Sequence, residues 1–293
     1  MSFIIAVDSS CDLPLGYIEQ EHLYVFSLIF NLGGQEHLDD LGQTYTSEAF
    51  YNAIRNGAMP TTSQVNTYTF KKQFIEWAKS NTPVLYIAFS SGLSGTYNSA
   101  LAAREEVLEA YPDAQIQIVD TRAASSGMGL LVYHACLLRA QGQSIDAIRT
   151  YIEETRDYLC HLFTVNDLHH LERGGRISHT SAFVGSLLQI KPVLYVNNEG
   201  KLIPYQKAHG RKKALHALVT HLESLITLNP QPIMISHSDC IQDANYVAQL
   251  LQEKLDLSPV MINNIGPVIG SHCGADVVAL FFIGKQKTPL HSS

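Results

Sequence analysis

The stretch VLYIAFSSGLSGTYNSA, residues 84–100, indicates the fold more directly than any other part of the chain. Its first six residues form an uninterrupted apolar run, which predicts a buried strand. Residues 96–111 read as a helix, and the turn between strand and helix is rich in glycine and hydroxyl side chains. Units of this kind build parallel α/β sheets, and they direct the N–H groups of the helix's first turn toward the loop.

Strand and helix signals alternate in the same way through the first half of the chain. FIIAVD (3–8) and QIQIVD (115–120) predict strands, and residues 46–57 predict a helix capped by Thr46 or Ser47 that ends near Gly57. After residue 158 the pattern changes, and VLYVNNEGKLIPYQK (193–207) predicts a β-hairpin. We therefore expect an α/β protein of two domains. Residues 1–159 would hold a parallel sheet flanked by helices, and residues 160–293 a mixed or antiparallel sheet with helices.

The composition narrows the class of protein. Apolar residues make up 46% of the 293 residues and charged residues 16%, which favours a globular chain over a disordered one. The net charge of -7 argues against general nucleic-acid binding. The five cysteines are scattered without a C-x-x-C pair, and the first apolar run is too short for a signal peptide. We expect a cytoplasmic protein with reduced thiols.

The turn at residues 90–96 allows several interpretations. A hydrolase nucleophile elbow has the pattern G-x-S-x-G, but Thr96 stands where the second glycine belongs. A phosphate-binding loop needs a lysine after its last glycine, and Thr96 occupies that position too. The two remaining interpretations are a helix cap and a site for a weak anion such as a carboxylate, with Ser94 as the candidate ligand.

Two further segments carry candidate binding groups. MPTTSQ (59–64) places three hydroxyl side chains before a predicted helix, where capping accounts for only one of them. GPVIGSHCG (266–274) places His272 in a predicted glycine loop after a strand, a position typical of ligand contacts. Either segment is also explained by ordinary structural roles.

Cations cluster in two places in a chain that contains few of them. Arg173 and Arg176 flank a Gly-Gly turn, where they serve as surface charge or as contacts to an anion or partner. Arg211, Lys212 and Lys213 stand at a predicted helix start and oppose the helix dipole, which favours a partner-facing patch. The histidines show no H-x-x-x-H spacing, so we expect no metal site.

Seven segments, in this order, resemble the DegV family of bacterial fatty-acid-binding proteins, which includes the FakB-type carrier subunits of fatty acid kinase. The matching segments span residues 8–274: DSSCDLP, TSQ, SSGLSGTYNSA, ERGGRIS, IKPVL, GRKKA and GPVIGSHCG. The resemblance implies two α/β domains with a fatty-acid tunnel between and within them. It also implies that Thr62, Ser94 and His272 bind the carboxylate.

The resemblance extends these roles to neighbouring residues and to partners. Ser63, Gly95, Thr96 and Arg173 would support the carboxylate site, whereas Arg176, Arg211 and Lys212 would face a partner. The protein would be a carrier without cofactor or catalytic residues. A separate kinase would phosphorylate the bound fatty acid, and the carrier would deliver acyl phosphate to phospholipid synthesis, with transient membrane contact.

Three positions depart from the family pattern. Val65 stands where proline commonly follows TSQ, and Ala275-Asp276 replaces a common Pro-Gly pair. His209 stands where arginine often precedes GRKKA. The first two departures bear on the shape of the tunnel mouth, and the third bears on docking of a kinase.

Two other functions fit the same residues. A serine esterase or thioesterase would use Ser94 as nucleophile and His272 as base. A binding protein for another small carboxylate would use the same head-group ligands without dependence on chain length. Turnover of an acyl ester that Ser94→Ala abolishes would favour the esterase, and binding independent of chain length would favour the protein for another small carboxylate.

Overall fold

The computed structural model describes residues 3–166, 168–178, 189–227 and 232–287. Within these ranges the strands are β1 (Ile4–Asp8), β2 (Tyr24–Phe26), β3 (Ile29–Leu32), β4 (Gln35–Leu38), β5 (Thr61–Ser63), β6 (Val84–Ala88), β7 (Ile116–Asp120), β8 (Leu159–Thr164), β9 (Ile190–Val196), β10 (Leu202–His209), β11 (Met234–His237), β12 (Met261–Asn264) and β13 (Val278–Ile283). The helices are α1 (Leu15–Gln20), α2 (Ser47–Arg55), α3 (Thr67–Lys79), α4 (Thr96–Ala110), α5 (Ser126–Ala140), α6 (Ile145–Thr155), α7 (His169–Arg173), α8 (Arg211–Leu225), α9 (Ile241–Leu255) and α10 (Pro267–Cys273). None of the helices in these ranges is both long and apolar enough to cross a bilayer.

The first half of the chain contains the predicted parallel sheet. Its order is β2-β1-β6-β7, and each neighbouring pair is parallel. All five residues of β6 are buried, as an apolar strand covered on both faces requires. The predicted helix at residues 46–57 is confirmed: the Thr46 side chain accepts a hydrogen bond from Ala49 N–H, and Gly57 follows at a positive φ.

The second half forms a six-stranded mixed sheet of order β10-β9-β8-β13-β11-β12. Only β11 and β12 run parallel, and the remaining neighbours are antiparallel. The predicted hairpin is the β9–β10 pair, whose turn is held by Asn197 Oδ1 accepting from the N–H groups of Glu199 and Lys201. The α/β class and the mixed second sheet are confirmed. A domain boundary near residue 159 stays a prediction.

A small third sheet, β4-β3-β5, is absent from the sequence-based expectations. The apolar segment YVFSLIFNL (24–32) divides between β2 of the parallel sheet and β3 of this small sheet. The hydroxyl residues 61–63 form β5 and do not cap a helix. Asn66 caps α3 instead, since its Oδ1 accepts from Thr69 N–H at 2.9 Å.

One apolar core joins the two large sheets. It contains Ile5 and Leu85 from the parallel sheet together with Phe163 and Phe281 from the mixed sheet, all buried. Helix α5 lies between the sheets and contacts β6 on one side and β8, β11 and β13 on the other. Because α5 is covered on both sides, its sequence is apolar around most of its circumference.

Candidate functional site

A cavity lies between the carboxyl edge of the parallel sheet and the mixed sheet. Its volume is about 180 Å³. Residues that follow β2, β6 and β7 form one wall, and residues of β8, β9, β10 and β13 form the other. The wall is mainly apolar and includes Leu28, Phe89, Leu93, Phe163, Leu171, Val196, Leu202, Ile265, Val268, Ile269, Val277 and Phe281. Such a cavity suits an apolar ligand with a small polar group.

The tip of the β9–β10 hairpin covers the turn that follows β6. Ser90 Oγ donates to Gly200 O at 2.8 Å. A Cβ on Gly92 would lie 2.5 Å from Glu199 O, so only glycine fits this close approach. The glycine in the SSG segment therefore allows the mixed sheet to close over one end of the parallel sheet.

Thr62 and His272 meet at the cavity wall. Thr62 Oγ1 lies 2.7 Å from His272 Nε2, although 210 residues separate them in sequence. Thr62 is half-buried in β5, while its neighbours Thr61 and Ser63 are exposed because side chains alternate along a strand. His272 is carried by the last turn of α10, so the predicted glycine loop is a short helix.

His272 is neutral at physiological pH. Burial, together with the smaller effect of the nearby cations Arg176 and Arg173, lowers the pKa of its imidazole to about 4. Its Nδ1 atom is buried and has no hydrogen-bond partner among the described residues. A Cβ on Gly174 would lie 2.2 Å from that nitrogen, so glycine at this position makes room for the ring.

Ser94 lines the same cavity and also orders the start of α4. Its Oγ accepts from Thr96 N–H at 3.2 Å and lies 2.9 Å from Thr96 Oγ1. Gly95 lines the cavity as well, whereas Thr96 is fully buried behind them. Gly95 is the N-cap of α4, and Ser94, one residue earlier, both bonds to the first N–H of the helix and lines the cavity.

Arg176 places a cation on the cavity wall. Its Nε donates to Leu93 O at 3.2 Å and its Nη1 to Gly174 O at 2.5 Å. Burial lowers the pKa of this half-buried guanidinium, yet an arginine remains charged. Within the described ranges, no carboxylate forms an ion pair with Arg176. An unpaired, partly buried cation in an apolar cavity favours an anionic ligand.

A model of the DegV family, which describes its members as uncharacterised proteins, matches residues 2–285. The chain belongs to the DegV family. A DegV domain-containing protein of Clostridium perfringens is 50% identical over 288 residues, which cover 98% of this chain and 99% of the relative.

Solved structures agree with this membership. A DegV family protein from Thermus thermophilus, described by its fatty-acid binding, has a TM-score of 0.84 at 31% identity and covers 97% of this chain and 100% of its own. A DegV lipid-binding protein from Thermotoga maritima has a TM-score of 0.84 at 29% identity, with 98% of this chain and 100% of its own covered.

The structure places several other predicted residues of this DegV-family protein away from the cavity. Ser63 is exposed, and Arg173 donates to Ser271 O at 3.4 Å on α10. The Arg211 guanidinium forms an ion pair with Asp243 at 2.7 Å, so its charge is already paired within the protein. Lys212 is exposed at the start of α8. Arg176 lines the cavity, and its predicted contact with a partner stays a prediction.

Gln64 is a cavity residue that the sequence interpretation did not select. Its Nε2 donates to Ser99 Oγ at 2.8 Å, and a Cβ on Gly95 would lie 2.2 Å from its Oε1. Gln64 thus joins the TSQ segment to the start of α4. The i, i+2 spacing from Thr62 was the signal that could have identified it, had β5 been recognised as a strand.

The DSSCDLP segment lies behind the cavity and supports α10. Asp12 Oδ1 accepts from Gly266 N–H at 2.8 Å, immediately before α10, and Ser125 Oγ donates to Asp12 Oδ2. Burial raises the pKa of Asp12 and also that of Asp8, which accepts from Tyr86 Oη at 2.7 Å. These two carboxyls therefore stabilise the fold behind the cavity and do not line it.

A hydrolytic centre requires a nucleophile bonded to its base. In the described part of the chain, Ser94 and His272 share no hydrogen bond: Ser94 Oγ bonds to Thr96, and His272 Nε2 bonds to Thr62. The same residues include no group of three or more His, Cys, Asp or Glu side chains placed to hold a metal ion. The geometry therefore favours binding of an anion over acyl hydrolysis.

Proposed function

We propose that this protein binds a long-chain fatty acid such as palmitate or oleate, with its carboxylate at Thr62, Ser94 and His272. The observation that supports this most strongly is Arg176, a half-buried cation without a carboxylate partner among the described residues. It lies beside neutral hydroxyl and imidazole groups at an otherwise apolar cavity. The fatty-acid binding described for the Thermus relative supports the same ligand class.

The carboxylate and the acyl chain of such a ligand contribute differently to the free energy of binding. Burying a carboxylate is costly unless hydrogen bonds compensate for the lost hydration, and charge-assisted bonds are the strong ones. Each buried CH₂ contributes about 0.8 kcal/mol, so a sixteen-carbon chain gains on the order of 10 kcal/mol before ordering costs. We expect the affinity to depend chiefly on the length of the acyl chain. Selectivity for a carboxylate over other head groups should depend on the polar residues of the cavity.

Direct extraction tests this proposal. The purified protein is denatured, extracted into organic solvent and analysed by mass spectrometry for fatty acids. We expect a long-chain fatty acid, or uptake of added palmitate by delipidated protein with less uptake of octanoate. A protein that is empty and takes up neither acid, or one that binds acetate as well as palmitate, would contradict the proposal.

We further propose that the protein is a carrier for a separate kinase. A carboxylate oxygen of the bound fatty acid would attack the γ-phosphorus of ATP on the kinase, releasing ADP and leaving acyl phosphate on the carrier. The carrier would then deliver acyl phosphate to phospholipid synthesis in brief contact with the membrane. Exposed Lys212 at the start of α8 is the predicted partner contact that is still available.

The carrier role has its own test. Loaded carrier is incubated with ATP and the fatty acid kinase of the same host, and acyl phosphate is trapped as the hydroxamate. Hydroxamate formation that requires the carrier supports the role. Its absence, with palmitate still bound, would overturn the carrier role and leave fatty-acid binding intact.

A further inference from the structure

Helix α10 determines where His272 lies, because the histidine is in the last turn of this seven-residue helix. A short helix has few internal hydrogen bonds, so its position depends on what packs around it. Asp12 fixes the start of α10 by accepting from Gly266 N–H. Helix α10 also contacts α7, β3, β5 and α2, and the binding function does not otherwise use α2.

Helix α2 packs against the middle of α10 without a gap. Tyr51 Oη donates to Ile265 O at 2.8 Å, two residues before α10 begins. A Cβ on Gly270 would lie 2.5 Å from Tyr51 Oη and 2.9 Å from the Phe50 ring. Both aromatic side chains are fully buried, so this contact sets the distance between the two helices.

Arg55, the last residue of α2, holds the chain that leaves α10. Its Nη2 donates to Asp276 Oδ1 at 2.9 Å and to Asp239 O at 3.1 Å, and its Nη1 bonds to Asp239 Oδ2. Asp276 Oδ2 also accepts from Asn166 Nδ2 at 2.8 Å. One guanidinium therefore joins α2 to two loops at the end of the mixed sheet.

The backbone conformation of the two aspartates adds a second, independent observation. Asp239 and Asp276 have φ values of 55° and 62°, in the left-handed region that non-glycine residues seldom adopt. A residue keeps such an unfavourable backbone conformation only where the interactions around it hold it in place. Asp276 is one of the two positions where this chain departs from the common Pro-Gly pair, and the structure gives its carboxylate a partner.

We propose that Arg55, together with Asp276 and Asp239, positions the carboxylate site by fixing the end of α10 and hence His272 opposite Thr62. The three residues do not line the cavity, so they act on the ligand through α10. This role rests on the proposed fatty-acid binding. It extends the site by positioning residues that lie outside the cavity.

The test compares two ligands that share a tail. Dissociation constants for palmitate and 1-hexadecanol are measured for wild type, Arg55→Ala, Arg55→Lys and Asp276→Gly. Glycine suits the positive φ at 276, so Asp276→Gly removes the ion pair and keeps the backbone unstrained. Lys71→Ala is the control, because it breaks the Lys71–Glu106 pair between α3 and α4, away from the cavity.

We expect Arg55→Ala and Asp276→Gly to weaken palmitate about 3- to 10-fold and to leave 1-hexadecanol unchanged, as loss of one well-placed polar contact would do. Arg55→Lys should recover part of this loss, and Lys71→Ala should change neither ligand. The double variant Arg55→Ala/Asp276→Gly should lose less than the sum of the two single losses, since both substitutions remove the Arg55–Asp276 ion pair. Equal loss for both ligands would mean a merely structural role and would overturn the proposal.

A measurement without ligand separates failure of this proposal from failure of the proposed function. The His272 imidazole is titrated by NMR in the ligand-free wild type, Arg55→Ala and Lys71→Ala. We expect the His272 pKa to rise in Arg55→Ala alone, because a displaced ring gains water. If wild type binds no lipid but this shift occurs, the binding proposal fails and the positioning role stands. An unchanged His272 pKa in a folded Arg55→Ala protein would overturn the positioning role.

Discussion

Two histidines line the same cavity, and burial makes both of them neutral. Burial lowers the pKa of His272 to about 4 and that of His161 to about 3. His161 Nε2 accepts from Ala124 N–H at 3.3 Å, and its ring packs edge to face on Phe281. His272 instead meets a hydroxyl and lies near Arg176. Burial and a lowered pKa therefore do not identify a ligand-binding histidine, and a nearby cation does not either, because Lys287 also lowers the pKa of His161. The Thr62 hydroxyl and a cation that lines the cavity favour His272.

The largest expected effect concerns the packing histidine. His161→Ala should reduce the free energy of unfolding by about 2–4 kcal/mol, because a fully buried ring leaves a cavity. Chemical denaturation of the delipidated protein measures this loss. The ratio of palmitate to 1-hexadecanol affinity should not change. A changed ratio with unchanged stability would reverse the roles assigned to the two histidines.

The next effect concerns the cation beside His272. Arg176→Met keeps most of the side-chain volume and removes the charge, so palmitate affinity should fall by about 1.5–3 kcal/mol. Isothermal titration gives the affinity, and 1-hexadecanol should bind as in wild type. Arg104→Met is the matched control, because Arg104 is also half-buried and donates through Nε to a backbone carbonyl, Ile116 O at 2.8 Å, but does not line the cavity. Equal losses in the two variants would mean that only overall charge matters.

A smaller effect separates two serines that the sequence placed in one site. Ser94→Ala should weaken palmitate by about 1 kcal/mol, since Ser94 lines the cavity but already bonds to Thr96. Ser63→Ala should have no effect because Ser63 is exposed. The comparison is made by titration of both variants side by side. A loss at Ser63 that matches the loss at Ser94 would show that the head group lies elsewhere.

The smallest effect is proton uptake on binding. In the free protein both histidine pKa values are lowered, so their contribution to stability is lost as pH falls from about 6.5 toward the folded pKa. A carboxylate beside His272 raises the pKa of His272, so palmitate binding should take up protons near about pH 5.5. Titration calorimetry in two buffers measures this uptake. It should vanish in His272→Gln and persist in His161→Phe.

Local signals made much of the fold predictable. The cap at Thr46, the hairpin turn at 197–201 and the buried strand β6 each depend on residues that are adjacent in sequence. The short strand β5 was missed because its three residues gain their structure from pairing with β3, which lies about thirty residues earlier. Its pairing is a tertiary effect that overrides local propensity.

The candidate site was predictable only in part, because several of its contacts join residues that are distant in sequence. The resemblance singled out Thr62, Ser94 and His272, and the structure brings all three to one cavity, although their binding role stays a prediction. The orientation of Arg176 depends on Leu93 O, which is 83 residues away in sequence. The link from Arg55 to Asp276 spans 221 residues. Contacts of that range leave no local pattern in the sequence.

We expect the carboxylate of a bound fatty acid to lie beside Arg176 and His272. NMR of bound palmitate labelled with ¹³C at its carboxyl carbon, recorded across pH, measures the ionisation of that group. We predict a resonance that stays that of an ionised carboxylate below the pH at which free palmitate protonates, and that shifts in Arg176→Met but not in His161→Phe. A bound carboxyl that titrates like the free acid and is insensitive to Arg176→Met would show that the head group does not lie beside these two residues.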